Sequence, residues 1–335
     1  MSIKATRRWP RVLVTGAAGF IGHHLVNYLC ERDYWVRAVD YRPNEWGHMH
    51  ADEVDWQCDL RHYLGATKAM KGIDWVFALA ADMGGMGFIM NFQYTVLRNS
   101  ARINLNTAEA AAIAGIERLL YTSSACIYPE GLQTDVDAPN LKESDAWQGK
   151  PEASYGVEKM VAEEIYYRAG KQFGFGVRMP RFHNIYGPEG AWDAERDNRV
   201  KAPAAMCYKA AKAKLTGSNQ MEIWGDGKQT RSFCYISDAL EMMHRLMCSN
   251  FSGPMNIGTD HLITINDLAM IAARAAGLES VELVHVEGPQ GVRGRNADLN
   301  LMRAELNYWP QTSLESGMQR TYDWIEKRVK EKLDG

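Results

Sequence analysis

Tyr155 and Lys159 stand four residues apart in Tyr155-Gly156-Val157-Glu158-Lys159. At that spacing two side chains share one face of a helix. An ammonium beside a phenol favours the phenolate and lowers a pKa that is ordinarily about 10. Such a phenol takes the proton of a substrate hydroxyl while a hydride leaves the same carbon. Ser123 and Ser124 close an upstream apolar run, and Ser124 offers a hydroxyl to hold the substrate oxygen. The plain alternative is a surface helix with a solvated lysine. Its weight depends on what surrounds the pair.

What surrounds it is a glycine loop. Gly16, Gly19 and Gly22 punctuate the junction between an apolar strand pattern, Arg11–Thr15, and a helical pattern, Phe20–Glu31. Glycines there allow a tight turn and let backbone N–H groups approach a pyrophosphate. The helix N-terminus, with Phe20 and Ile21 in its first turn, adds partial positive charge. Asp40 closes the second strand pattern, 18 residues after Gly22. A carboxylate there accepts hydrogen bonds from ribose hydroxyls and repels an additional phosphate, which favours NAD over NADP. Arg37 and Arg42 flank it and keep NADP open. Asp59 has two readings, a contact to the adenine edge or a helix cap.

These groups need a scaffold that brings strand ends together. The patterns Trp35–Asp40, Trp75–Ala80, Arg118–Ser123 and Phe175–Arg181 read as strands. Helical patterns through Thr107–Ala114 and over Ala153–Phe173 separate them. This alternation predicts a Rossmann-type α/β fold, a doubly wound parallel sheet with a smaller C-terminal substrate domain. The expected division is a cofactor domain over 10–183, with segments returning near 230–260, and a mainly substrate-binding part over 184–335. Met255–Ile257 reads as one more sheet strand and Ser316–Lys332 as an amphipathic helix.

Composition narrows the class. The chain has 335 residues, 46% hydrophobic and 24% charged, which suffices for a large core. A formal net charge of −3 gives no basic field for nucleic acid or a membrane surface. No secretory signal and no bilayer-length apolar run is seen. The cysteines at 30, 58, 126, 207, 234 and 248 are scattered, without a C-x-x-C pair. That predicts reduced thiols in a cytoplasmic setting and no metal site.

Together the glycine loop, Asp40, Ser124 and the Tyr155/Lys159 pair resemble the extended short-chain dehydrogenase/reductase family. Arg181-Phe182-His183-Asn184-Ile185-Tyr186-Gly187-Pro188 resembles it too. The resemblance implies an NAD-dependent sugar-nucleotide epimerase or dehydratase that forms a homodimer. Five segments resemble the branch that epimerises GDP-mannose to GDP-L-galactose. They are Ala80–Gly87, Ser123–Pro129, Lys201–Ala205, Trp224–Phe233 and Gly291–Asn296. Oxidising C4 to a ketone makes the C3 and C5 protons acidic, so two groups on opposite ring faces can exchange them. Cys126, just past the Ser124 strand, carries a thiol with an ordinary pKa near 8.5; the alternative is a small buried residue. The resemblance implies Lys201 as the second acid/base, against a surface lysine opening a helix. Asn184, Lys209, Gln229, Arg231 and Arg295 are candidates for the nucleotide diphosphate. Gly84, in the loop after the fourth strand, is a candidate for the sugar. The charge run Asp193–Arg199 reads as a solvated loop. Three rivals stand: a 4-epimerase, which needs no second acid/base pair; a 4,6-dehydratase, which would carry an acidic residue near the Ser124 strand end, where Cys126 stands; and a non-catalytic NAD-binding regulator.

Overall fold

The computed structural model describes residues 9–83, 86–197, 199–288 and 291–334. Its main sheet contains β1 (Arg11–Thr15), β2 (Trp35–Val39), β3 (Glu53–Asp55), β4 (Trp75–Ala78), β5 (Arg118–Tyr121) and β6 (Ser123–Ser124). After β7 (Asn140–Leu141), which lies elsewhere, the sheet takes up β8 (Gly176–Phe182). The strands β9 (Ile185–Tyr186), β10 (Gln220–Trp224), β11 (Thr230–Arg231) and β12 (Cys234–Tyr235) form small ladders, and β13 (Gly253–Ile257) returns to the main sheet. The ladders also use β14 (Ile263–Thr264), β15 (Glu282–Val286) and β16 (Gly294–Ala297). The order β13-β8-β5-β4-β1-β2-β3 is parallel throughout, and β6 extends the pairing against β8. This is the doubly wound α/β arrangement, with its change of direction between β1 and β4.

Alternation along β1 explains the two cores. Val12 and Val14 point to one face of the sheet and Leu13 to the other, each fully buried. The first face is covered by α1 (Phe20–Cys30) and the second by α2 (Tyr63–Met70). A short α3 (Met86–Asn91) precedes α4 (Gln93–Ala114), which packs on the second face with α5 (Ala153–Phe173). The remaining helices are α6 (Ala202–Thr216), α7 (Ile236–Cys248), α8 (Ile265–Ala275), α9 (Asn300–Leu306) and α10 (Leu314–Asp334). Helix α4 begins 14 residues before the alanine-rich stretch that announced it. Its first half, Gln93–Asn106, is too polar to show a clean apolar stripe, and it is packing against α2 and α5 that keeps it helical.

A buried ion pair locks the sheet to α5. Arg181 on β8 donates to Glu163 on α5 at 2.9 and 2.7 Å, and to the Glu143 carbonyl at 2.7 Å. The two side chains are 1% and 5% exposed. The start of α5 sits against the turn after β6: a Cβ on Gly156 would lie 2.1 Å from the Cys126 carbonyl oxygen. Glycine is what allows the helix bearing Tyr155 to approach the strand end bearing Ser124 so closely.

Candidate active site

The C-terminal ends of β1, β2, β4 and β6 open into one cavity of about 1460 Å³. That exceeds the roughly 300–1,000 Å³ of a typical single-ligand pocket, so it has room for a dinucleotide and a second nucleotide together. Every described residue assigned above to cofactor, substrate or chemistry lines it. Gly84 lies outside the described residues.

At the cofactor end, Gly16 adopts φ +67°, and a Cβ there would lie 2.8 Å from the Ala80 nitrogen. A Cβ on Gly22 would fall 2.1 Å from the Gly16 carbonyl oxygen. Both positions therefore exclude side chains and keep the loop against the start of α1. Gly19 precedes α1 and no side chain caps its N–H groups, leaving them for an anion. The Asp40 carboxylate accepts from the backbone N–H of Ala18 at 3.1 Å and of Tyr41 at 2.8 Å. Burial pushes its pKa up, against those donors and Arg42. Of the two arginines beside it, Arg37 is engaged by Glu53 at 2.7 Å and by the carbonyls of Ala69 and Lys71. Arg42 is then the flanking cation whose charge bears on Asp40. Asp59 is paired with Arg61 at 2.7 Å, which holds its carboxyl below the usual range. It lines the cavity as half of an ion pair, and His62 rather than Asp59 precedes α2. The glycine cradle, uncapped helix and carboxylate fit a dinucleotide.

At the chemical centre, Ser124 precedes a short 3-10 turn, Ala125–Ile127, and its Oγ accepts from the Cys126 N–H at 3.2 Å. Tyr155 and Lys159 lie on the buried face of α5. The Lys159 ammonium donates to the Thr122 carbonyl at 3.0 Å and stands 5.5 Å from the Tyr155 ring centre. Here the sequence expectation needs correction. Burial pushes the Tyr155 phenol well above its usual range, with the Ser124 hydroxyl pulling the other way, and pushes the Lys159 ammonium down. Burial is the largest cause, and the charges of Cys126 and Glu158 push the phenol the same way.

Cys126 is half-buried. Burial pushes its thiol up, against the pull of Arg295. Lys201 stands immediately before α6, with Pro203 in the helix's first turn. Lys201 is exposed by surface area, as a lysine opening a helix would be, and it also lines the cavity. Desolvation by the surrounding protein pushes its pKa down, with Cys126 near enough to pull it back. An amine made easier to deprotonate and a thiol thus face one cavity within electrostatic reach.

The expected diphosphate ligands divide. Gln229 is buried, and its Oε1 has no protein partner among the described residues. Arg231 donates to the Thr230 and Val292 carbonyls, and burial lowers its pKa to about 10. Asn184, held at φ +47°, donates to the Ser232 carbonyl at 2.8 Å. Lys209 donates to the Glu222 carbonyl at 2.7 Å. Arg295 departs from the expectation of a free phosphate fork. Its Nη2 meets Glu152 at 2.5 Å, its Nε meets Gln133 at 2.5 Å, and its Nη1 points at Cys126 Sγ at 3.5 Å. Glu152 and Gln133 went unread in the sequence. An acid just before a helix start was the only local signal, because their partners are more than 140 residues away. The charge run is also less free than expected: Lys332 holds Asp193 at 2.9 Å and Lys212 holds Glu195 at 2.5 Å, pinning the loop to α10 and α6.

The sequence profile of the NAD dependent epimerase/dehydratase family matches residues 12–258. The chain is 42% identical to GDP-mannose 3,5-epimerase of Arabidopsis thaliana, over 98% of this chain and 86% of that one. It is 43% identical to GDP-mannose 3,5-epimerase 1 of Oryza sativa subsp. japonica, with the same coverage. Among solved structures, MoeE5 in complex with UDP-glucose and NAD superposes with a TM-score of 0.79 at 28% identity, covering 95% of this chain and 99% of that one.

Proposed function

This chain belongs to the NAD dependent epimerase/dehydratase family, and from that premise we propose that it epimerises GDP-mannose to GDP-L-galactose by transient oxidation at C4 and proton exchange at C3 and C5. It is an NAD-dependent isomerase. NAD would be held by Gly16, Gly19, Phe20, Ile21, Gly22 and Asp40, and when bound it would supply a reversible hydride acceptor for C4. Tyr155 takes the C4 hydroxyl proton, Ser124 holds the C4 oxygen, and Lys159 orients the phenol and adds positive charge. With C4 a ketone, a carbanion at C3 or C5 is stabilised as an enolate. Cys126 and Lys201 then exchange protons on opposite faces of the ring. The diphosphate lies toward Asn184, Lys209, Gln229 and Arg231.

The observation that carries this reading is that Cys126 and Lys201 open into the same cavity as Ser124, Tyr155 and the glycine loop. The test is turnover of GDP-mannose in deuterated water, read by NMR of the hexose. Deuterium at C3 and C5 is the expected result. A 4-epimer without label, or a 6-deoxy-4-keto product, would overturn it.

The assembly proposed is a homodimer built on α4 and α5. These helices pack side by side and leave Leu97, Leu105, Val157 and Val161 exposed, an apolar face suited to a second copy. A monomeric mass by light scattering at micromolar concentration would refute it. A cytoplasmic setting is proposed from the six unpaired cysteines. No helix among the described residues is long and apolar enough to cross a membrane.

A further inference from the structure

One guanidinium, that of Arg295, is shared between a carboxylate and a sulfur. Its contact to Glu152 is short, at 2.5 Å, whereas its contact to Cys126 Sγ is 3.5 Å. Gln133 fixes the third nitrogen, at 2.5 Å, and its own amide is anchored on the Tyr128 and Pro129 carbonyls. The fork therefore cannot rotate to serve the sulfur better without giving up a bond. Arg295 and Glu152 are 6% exposed and Gln133 is 1% exposed, so the competition takes place away from water, where charge interactions are strong.

We propose that Glu152 is a positioning residue that holds the Arg295 fork toward itself and so sets how readily Cys126 becomes a thiolate. This rests on the reading of Cys126 as a proton-exchanging group. The groups facing the thiol are few. Glu152 and Tyr155 come from the start of α5, with Lys159 one turn further on. Arg295 comes from β16, Arg231 from β11 and Lys201 from the residue before α6. Among these Glu152 is the carboxylate, and it disfavours a second negative charge beside it. The Arg295 charge favours one. With Glu152 neutral, the guanidinium is left with the sulfur as its anionic partner.

The test reads the thiol directly. Alkylation of Cys126 by iodoacetamide is followed by peptide mass spectrometry from pH 5.5 to 9.5 on the purified full-length protein. Cys248, exposed on α7, serves as an internal standard. Glu152→Gln should lower the pH midpoint at Cys126 by about one unit, a tenfold gain in thiolate at fixed pH, and leave Cys248 unmoved. Glu152→Asp, still anionic, should stay near the wild-type midpoint. Arg295→Lys, which keeps the charge but loses the fork, should raise it. A Glu152→Gln midpoint that stays or rises overturns the proposal. Should that variant not fold, an unmoved or lowered Arg295→Lys midpoint does the same. None of these readings requires turnover of GDP-mannose, so failure here and failure of the substrate assignment are told apart.

Discussion

Replacing Gly156 by alanine tests whether the contact between α5 and the strand-end turn governs the chemistry. The added methyl would sit 2.1 Å from the Cys126 carbonyl oxygen, 3.0 Å from its carbonyl carbon and 3.0 Å from Pro151 Cβ. Non-bonded heavy atoms separate to about 3.5 Å, so the start of α5 must back away by on the order of 1 Å. The backbone N–H of Glu152 also bonds that same carbonyl at 3.1 Å, so retreat weakens this bond as well. Tyr155 rides on the helix while Ser124 and Cys126 stay with the strand, and the phenol is thus displaced from the oxygen it must deprotonate. Misplacement of reacting groups by 1 Å can cost about 100-fold in rate, or ~2.7 kcal/mol in the barrier. Overpacking should also cost roughly 1–3 kcal/mol of stability. The assay pairs initial rates at saturating GDP-mannose with urea unfolding. Gly131→Ala is the control, since a Cβ there meets nothing within 4 Å. A Gly156→Ala protein with wild-type kcat would refute the reasoning, because the two halves of the centre would then tolerate relative movement.

Glu163→Gln leaves the Arg181 guanidinium buried without its anion and should cost about 3–5 kcal/mol by urea unfolding; a loss below roughly 1 kcal/mol would mean that the pair contributes no more than a surface bridge. His183 is fully buried beside Asn256, and burial lowers its pKa to about 3, far below the ordinary 6.5. The unfolded chain therefore binds a proton that the folded one refuses between those values. Its stabilising contribution is complete above about pH 6.5 and is lost as the pH falls toward 3, with a slope approaching ~1.4 kcal/mol per unit. His183→Gln should flatten unfolding free energy against pH between pH 6 and 4, and an unchanged slope would assign acid sensitivity to other groups.

What the amino-acid sequence determined by itself is whatever depends on short separations. The glycine spacing, the apolar alternation of Arg11–Thr15 and the Tyr155–Lys159 interval are local, because backbone geometry converts a spacing of two or four directly into a shared face. The parallel sense of the strands followed from their alternation with helices, whereas their order in the sheet is seen only in the structure. Tertiary structure alone decided the state of the catalytic groups. Arg295 reaches Glu152, Gln133 and Cys126 across 143, 162 and 169 residues, and no periodicity encodes such a meeting. The Tyr155 phenol moved opposite to the direction its neighbouring lysine suggested, since proximity of a charge can be read from spacing but the loss of water around a group cannot. Desolvation belongs to the whole fold, and at Tyr155 and Lys159 it sets the direction of the shift.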